Sequence, residues 1–236
     1  MRSGSARPAL TFSTRHSYRL STRTSPSRDR QWSERLTAAG HIVLFPDSFG
    51  SRGLHSQCRV PQARRVATSW GLRRRDALAS AAWLAAQPGT PPGGVVLLGW
   101  SDGGSTVLDA GRAAPDVPAG LLRGLVAFYP GCRGPSEKAG WRPAAPLLIL
   151  IGEADDWTPA APCHVLAGKL GEPLLTLVSY PGAYHDFDTG HPVRVRTGMA
   201  TGKGPNGEVH AGGNPAARAD ALDRVPAFLL TLPAAH

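Results

Sequence analysis

The chain contains 236 residues, of which 42% are hydrophobic, and this length and composition fit one α/β domain with a sizeable core. The formal net charge is +9, but seven arginines and one aspartate fall in the first 30 residues, so the positive charge belongs mostly to an N-terminal segment. We therefore expect no nucleic-acid partner. No apolar run approaches the roughly 18 residues of a membrane span, and no apolar secretory signal is visible, so we expect a soluble, cytoplasmic protein without a membrane partner.

The N-terminal segment, residues 1–29, is rich in arginine, serine and threonine and poor in large apolar residues. This composition is typical of disordered chain, so we expect a single folded domain over residues 30–236. A second basic cluster at 73–76 lies in a helical pattern, and we interpret it as a solvated helix face.

The cysteine content predicts neither a disulfide nor a metal site. The cysteines are odd in number and lack the C-x-x-C or cysteine and histidine spacing of a zinc site. We therefore expect no disulfide framework, no metal ion and no cofactor, with the thiols as structural residues. The cysteines are Cys58, Cys132 and Cys163.

Apolar periodicity and turn residues divide the rest of the chain into alternating helices and strands. Helices are predicted over 30–40, 61–87, 103–114, 159–171 and 214–232, and strands over 41–46, 94–99, 124–129, 146–152 and 173–180. Trp32, Leu36 and Val66 are predicted to face inward, and the last helix to be interrupted or restarted at Pro226. Residues 186–213 predict a long glycine-rich loop. This alternation predicts a mostly parallel sheet with helices on both faces, and functional sites at the carboxyl ends of its strands.

The stretch GWSDGG at 99–104 follows a predicted buried strand and precedes a predicted helix. A strand, a sharp turn with small residues around a serine and an immediate helix are the features of a nucleophile elbow. We therefore interpret Ser101 as a candidate nucleophile, the alternative being an ordinary turn serine. In the first interpretation the backbone N–H of Asp102 faces the developing oxyanion, and its side chain caps the helix.

A serine nucleophile needs a histidine base and an acid, which follow it in the order serine, acid, histidine in this type of elbow. The segment after a later strand offers three acids, Glu153, Asp155 and Asp156. His185 follows the last predicted strand, where a loop can bend it over the elbow, whereas His164 falls inside a predicted helix. The residues alone therefore favour His185 as the base and leave the acid open.

Five blocks occur in order along the chain: PDSFGSRG, GWSDGG, FYPGC, GEADDWTPAAPC and YPGAYHDF. Together they resemble the dienelactone hydrolase family of the α/β-hydrolase superfamily, over the whole predicted domain. The resemblance implies an α/β-hydrolase fold with Ser101 as nucleophile, His185 as base and Asp155 as acid. Asp155 is preferred because the family's acid stands four residues before the proline that opens the next helix, here Pro159. Asp156 is the fallback.

The resemblance implies hydrolysis of a small carboxylic ester or lactone through an acyl-enzyme intermediate. The best-known dienelactone hydrolases carry cysteine as the nucleophile, so Ser101 is a departure and their substrate is not carried over. Weaker candidates for substrate contacts are Arg52, Trp100 and Arg194, of which the arginines could pair with a carboxylate. The alternatives are a peptidase or thioesterase with the same triad, and a catalytically impaired binding protein of α/β-hydrolase type.

The family places a second oxyanion donor on a glycine-rich loop after an apolar N-terminal strand that lies beside the elbow strand. The sequence shows only a short strand-like ALTF at 9–12 and then an arginine, serine and threonine tract. We therefore expect this strand to be missing or degraded, with residues 11–28 as a frame-shifted or degenerate replacement of the loop. Such a chain is expected to be unstable or at most weakly active.

Overall fold

The computed structural model describes residues 7–12 and 27–233. The strands in this part of the chain are β1 (Arg7–Phe12), β2 (His41–Leu44), β3 (Val95–Trp100), β4 (Leu122–Phe128), β5 (Leu147–Gly152), β6 (Leu175–Tyr180), β7 (Arg194–Arg196) and β8 (Val209–Ala211). The helices are α1 (Ser27–Ala38), α2 (Leu72–Ala85), α3 (Asp102–Ala110), α4 (Arg133–Glu137), α5 (Ala161–Leu170) and α6 (Pro215–Thr231). None of these helices is both long and apolar enough to cross a lipid bilayer.

The first six strands form one parallel sheet in the order β2-β1-β3-β4-β5-β6. The chain passes from β1 to β2 in one direction and then back across β1 to β3. Because parallel crossovers are right-handed, α1 and α2 lie on opposite faces of the sheet. Strands β3 and β5 are buried along their whole length, as a sheet covered on both faces requires. The predicted α/β architecture is therefore confirmed.

The first strand, β1, lies inside this sheet, so the expectation that it is missing is wrong. Leu10 is paired with Leu44 of β2 on one side and with Leu97 of β3 on the other. Parallel pairing is made by backbone N–H and C=O groups, so this strand fills its position without a long apolar run. The sheet thus begins within the segment 1–29, which was expected to lie outside the folded domain. The loop replacement predicted at 11–28 falls mostly on residues 13–26, which lie outside the described residues.

Helices α2 and α6 and one loop differ from the sequence prediction, and α4 was not predicted. Helix α2 begins at Leu72 because the chain before it is irregular, with Gly71 at φ −107° and ψ −105°, and Val66 is 60% exposed instead of inward. Helix α6 continues through Pro226 without a break. The predicted loop over 186–213 contains the antiparallel pair β7 and β8.

The basic cluster at 73–76 is not a uniformly solvated face. Arg73 is 1% exposed, and its guanidinium group pairs with the carboxylate of Asp102. A buried arginine needs such a partner because an unpaired charge in the interior is strongly destabilising. The pair ties α2 to the first residue of α3.

Cys132 and Cys163 form a disulfide, which corrects the expectation that the cysteines do not pair. The bond joins the residue before α4 to a buried position in α5. Cys58 is a free thiol. Disulfides are typical of oxidising compartments, in contrast to the cytoplasmic location expected from the sequence.

Replacing Cys163 by alanine is expected to lower the free energy of unfolding by about 2–4 kcal/mol, because the cross-link restricts the unfolded chain. The measurement is urea denaturation with and without a thiol reductant. Cys58→Ala is the control, and it should change stability by less than about 1 kcal/mol because this cysteine is unpaired and only partly buried. The disulfide would be contradicted if the two variants had equal free energies of unfolding. It would also be contradicted if the reductant did not change the free energy of unfolding of the unmodified chain.

Candidate active site

The turn between β3 and α3 presents Ser101 in a strained backbone conformation, with φ 55° and ψ −121°. Two glycines make this turn sterically possible. A Cβ atom on Gly99 would lie 2.4 Å from the carbonyl oxygen of Gly103, and one on Gly104 would lie 2.8 Å from that of Phe128. Such approaches exclude any larger residue, so the sequence around Ser101 is fitted to this turn, as a nucleophile elbow requires.

Asp102 is the first residue of α3. Its backbone N–H is one of the initial amides of the helix that have no acceptor within the helix itself. The positive end of the helix dipole lies at the same place and favours negative charge. The Asp102 side chain pairs with Arg73 instead of capping the helix as predicted. This end of α3 can therefore accommodate an anionic oxygen beside Ser101.

Three of the predicted residues meet in one line of hydrogen bonds. The Nε2 atom of His185 lies 2.8 Å from Ser101 Oγ, and its Nδ1 atom lies 2.8 Å from Asp155 Oδ2. The His185 and Asp155 side chains are almost fully buried, whereas Ser101 is partly exposed. An imidazole in this position can accept the serine proton at one nitrogen while the carboxylate holds the other protonated.

Asp155 is fixed by the residues that follow it. Its Oδ1 atom accepts hydrogen bonds from the backbone N–H groups of Trp157 at 2.9 Å and Thr158 at 2.8 Å. The Thr158 hydroxyl lies 2.9 Å from Asp155 Oδ2 and 3.0 Å from His185 Nδ1. Asp156, the fallback acid, is directed away from this line and pairs with His210.

The imidazole of His185 lies between two aromatic rings. Its centroid is 4.6 Å from the ring of Tyr129 and 4.7 Å from that of Trp157. Burial tends to lower the pKa of His185, but the charges of Asp155 and Asp186, with the hydrogen bond that His185 donates to Asp155, outweigh it and raise the pKa above its ordinary value of 6.5. The protein therefore favours the protonated form that a general base reaches after accepting a proton.

A buried network of charged and aromatic groups supports the segment after His185. Arg28 Nη1 donates to the Tyr129 hydroxyl at 2.8 Å and to Asp186 Oδ1 at 3.2 Å. The Tyr129 hydroxyl donates to Asp188 Oδ1 at 2.7 Å, and the Trp100 indole donates to Asp188 Oδ2 at 2.9 Å. Burial raises the pKa of Tyr129, so its hydroxyl remains a donor. The loop that carries His185 is thus fixed to the core by its next polar residues.

Ser101 lies at an open cleft of about 610 Å³, a volume in the range of small-molecule sites. The walls come from the segment before α2, from the start of α4 and from the loop after β5. Residues lining the cleft include Phe49, Gln57, Cys58, Arg65, Ser69, Trp70, Asp102, Ser105, Asp109, Cys132, Arg133, Glu137, Trp157, Thr158 and Lys203.

The weaker candidates for substrate contacts lie elsewhere. Arg52 makes a two-point ion pair with Asp76, at 2.9 and 2.8 Å, which braces its loop. Trp100 is completely buried, and its indole N–H donates a hydrogen bond to Asp188. Arg194 lines a separate pocket of about 290 Å³. None of the three is among the described residues that line the cleft with Ser101.

Sequence reasoning missed Thr158, Trp157 and Tyr129, all of which contact His185 or Asp155. The signal for Thr158 is local, because a residue three positions after an aspartate at a turn is a common partner of that carboxylate. Trp157 stands in the same motif, but its ring contact with His185 depends on the loop after β6. Tyr129 directly follows the buried strand β4, where an aromatic residue indicates packing and not a site.

A profile of the dienelactone hydrolase family matches residues 24–232. A search of curated protein sequences finds no match to the chain. A protein of Klebsiella pneumoniae described as a dienelactone hydrolase has a TM-score of 0.63 at 17% identity, over 98% of this chain and 89% of its own.

Solved structures of two further proteins are similar. A dienelactone hydrolase-like promiscuous phosphotriesterase from metagenomic libraries has a TM-score of 0.66 at 18% identity, over 98% of this chain and 89% of its own. Esterase 2 of Thermogutta terrifontis with bound propionate has a TM-score of 0.62 at 18% identity, covering 98% and 85%. The same esterase was solved phosphorylated by paraoxon, with a TM-score of 0.60 at 19% identity, covering 95% and 82%. At these identities the likeness establishes the α/β-hydrolase fold.

The pKa of His185, measured by NMR titration of the imidazole nitrogens, is expected to lie above 6.5. In Asp155→Asn the pKa of His185 should fall, because the adjacent carboxylate is lost and burial alone then disfavours the protonated imidazole. Asp156→Asn is the matched control and should change this pKa less, because its carboxylate faces His210. Equal shifts in the two variants would contradict the assignment of Asp155 as the partner of His185.

Proposed function

The chain belongs to the dienelactone hydrolase family, and on that premise we propose that it is a serine hydrolase of small carboxylic esters or lactones that works through an acyl-enzyme intermediate. The observation that carries the proposal is the line of two 2.8 Å contacts from Ser101, which lines an open cleft, through His185 to Asp155. A hydroxyl on a strained turn, a buried imidazole and a carboxylate in this order form the arrangement that activates serine for acyl transfer.

The first half of the reaction forms the acyl-enzyme. Ser101 Oγ attacks the ester carbonyl while His185 Nε2 accepts the serine proton. Asp155 remains ionised, keeps His185 Nδ1 protonated and stabilises the imidazolium. The carbonyl oxygen gains negative charge and is stabilised by the backbone N–H of Asp102 at the start of α3. His185 then delivers the proton to the leaving group.

The second half releases the acyl group by reversing these roles. His185 removes a proton from a water molecule, whose oxygen attacks the acyl carbonyl. The proton passes to Ser101 Oγ as the carboxylic acid leaves. His185 thus carries each proton transfer, and the backbone N–H of Asp102 stabilises the developing charge.

The structural neighbours support esterase chemistry on this fold. Esterase 2 of Thermogutta terrifontis is phosphorylated by paraoxon. Paraoxon is an ester of phosphoric acid, and an activated hydroxyl attacks its phosphorus and displaces nitrophenolate. The same reagent therefore tests whether Ser101 is activated in this chain.

Paraoxon is expected to attach a diethylphosphoryl group to Ser101. Ser101→Ala should not react at this position and should lower kcat for p-nitrophenyl acetate by about 10⁴-fold or more, because the nucleophile is lost. The measurements are intact-mass and fragment-mass spectrometry together with the release of nitrophenolate. The rate of the unmodified chain should rise with pH through the pKa of His185, because only the neutral imidazole accepts a proton.

Fragment mapping must place the adduct on Ser101, since Ser69 and Ser105 line the same cleft. Ester hydrolysis that survives in Ser101→Ala would refute the proposed nucleophile. A chain that neither reacts with paraoxon nor hydrolyses esters would instead be a catalytically impaired member of the fold that binds its ligand.

Trp70 gives the cleft an exposed aromatic wall. Its side chain is 55% exposed, whereas Phe49, which lines the same cleft, is 5% exposed. An indole face at the mouth of a site can stack against an aromatic ring and remove both surfaces from water. We infer that esters with an aromatic acyl or leaving group are bound through Trp70.

Trp70→Ala is expected to raise the KM for phenyl acetate about fivefold, because a ring contact of about 1 kcal/mol is lost. The KM for ethyl acetate and the kcat for both esters should change little, since neither depends on that contact. Trp83→Ala is the control, because Trp83 is 56% exposed on α2 and is not among the described residues that line the cleft. An equal rise in KM for both esters, or the same effect from Trp83→Ala, would contradict the assignment.

A further inference from the structure

The carboxylate of Asp156 accepts two hydrogen bonds from a single residue. Its Oδ2 atom lies 2.7 Å from His210 Nδ1, and its Oδ1 atom accepts the backbone N–H of His210 at 2.8 Å. Asp156 directly follows Asp155 in the loop after β5. The segment that carries Asp155 is therefore joined to strand β8, in which His210 is the central residue.

Strand β8 is also joined to the segment that carries His185. Ala211 forms an isolated parallel bridge with His185, and the backbone N–H of Gly212 donates to the His185 carbonyl at 2.8 Å. The ring of Tyr184 stacks on the ring of His210, with a centroid separation of 5.0 Å and an interplanar angle of 29°. His210 thus contacts a direct chain neighbour of Asp155 and a direct chain neighbour of His185.

We propose that Asp156 and His210 form a clamp that sets the separation of the two loops bearing Asp155 and His185, and thereby positions the imidazole for proton transfer from Ser101. The clamp rests on the proposed hydrolase function. His210 touches neither Ser101 nor Asp155 in the described contacts, so it acts through His185 as a positioning residue. A misplacement of about 1 Å at a reacting group can cost about 10²-fold in rate, so a small movement of these loops is sufficient to be measured.

The clamp should affect the rate more than the stability of the fold. The side chains of His210 and Asp156 are 41% and 43% exposed, and exposed ion pairs contribute little net free energy of folding. A variant that lowers kcat without changing the unfolding temperature therefore separates positioning from general destabilisation.

The hydrogen bond between His210 and Asp156 can be kept by a conservative substitution of His210. The bond to Asp156 uses the Nδ1 atom of His210, which lies three bonds from Cα along the side chain. The side-chain amide nitrogen of asparagine lies at the same number of bonds and carries N–H donors. His210→Asn can therefore retain the hydrogen bond, whereas His210→Ala removes it and leaves only the backbone bond.

The first experiment compares His210→Ala, His210→Asn and His164→Ala with the unmodified chain. His164 is the matched control because its Nε2 lies 2.8 Å from Glu153 Oε1, with side chains 47% and 38% exposed, on the exposed surface of α5. With p-nitrophenyl acetate, kcat should fall about tenfold in His210→Ala and stay within about threefold in His210→Asn. The kcat of His164→Ala should stay within about twofold of that of the unmodified chain. In every variant KM should change less than kcat.

The second experiment is a double-mutant cycle. Asp156→Ala removes both hydrogen bonds and should lower kcat at least as much as His210→Ala. Asp156→Ala combined with His210→Ala should be no slower than Asp156→Ala alone, because the two side chains act as one unit. The clamp would be overturned if the fold-loss in kcat of the double variant equalled the product of the fold-losses of the two single variants.

A spectroscopic readout makes the test independent of hydrolysis. The Nδ1 proton of His185, held by Asp155, should give a low-field proton NMR signal that is identified by its loss in Asp155→Asn. This signal should be sharp in the unmodified chain, His210→Asn and His164→Ala, and broadened in His210→Ala. An unchanged signal and kcat in His210→Ala would overturn the clamp. Absence of hydrolysis by the unmodified chain would instead refute the proposed function, while the signal still reports on the clamp.

Discussion

The active-site geometry depends on one tight turn at the end of β3. Ser101 adopts a positive φ that residues with a side chain rarely take, and the surrounding glycines allow backbone segments to approach closer than any Cβ would permit. The turn occurs beside β1, at the point where successive crossovers pass to opposite faces of the sheet. Parallel α/β sheets open a crevice at such a point, so the turn and the sheet order together place the hydroxyl in a cleft.

Buried charges fix the position of His185 relative to this turn. Asp188 accepts hydrogen bonds from Trp32, Trp100 and Tyr129, and Arg28 reaches both Tyr129 and Asp186. Charges removed from water are tolerated only when their partners are accurately placed, so this network admits little variation in the loop that follows His185. Trp100, considered at first as a substrate contact, serves this internal network.

Two adjacent aspartates have different partners because the backbone directs their side chains to different loops. Asp155 faces His185 and is closed off from solvent, whereas Asp156 is partly exposed and faces His210. Spacing from Pro159 indicates which of them belongs to the family motif. It does not indicate that the second carboxylate has a partner 54 residues away. That partnership exists because β8 lies beside the loop after β6, which carries His185. This placement brings His210 against Asp156 in the loop after β5.

The sequence by itself determined the alternation of helices and strands, the elbow around Ser101 and the order of Asp155 and His185, because these features depend on local periodicity and on spacing along the chain. It indicated only a short strand-like stretch at 9–12 and did not reveal that β1 fills the position beside β3, because backbone hydrogen bonds hold a parallel strand in a sheet without a long apolar run. It also did not reveal the pairing of Cys132 with Cys163 or of Arg73 with Asp102. Those contacts join segments distant in the chain, and only the packing of helices on the sheet decided that they meet.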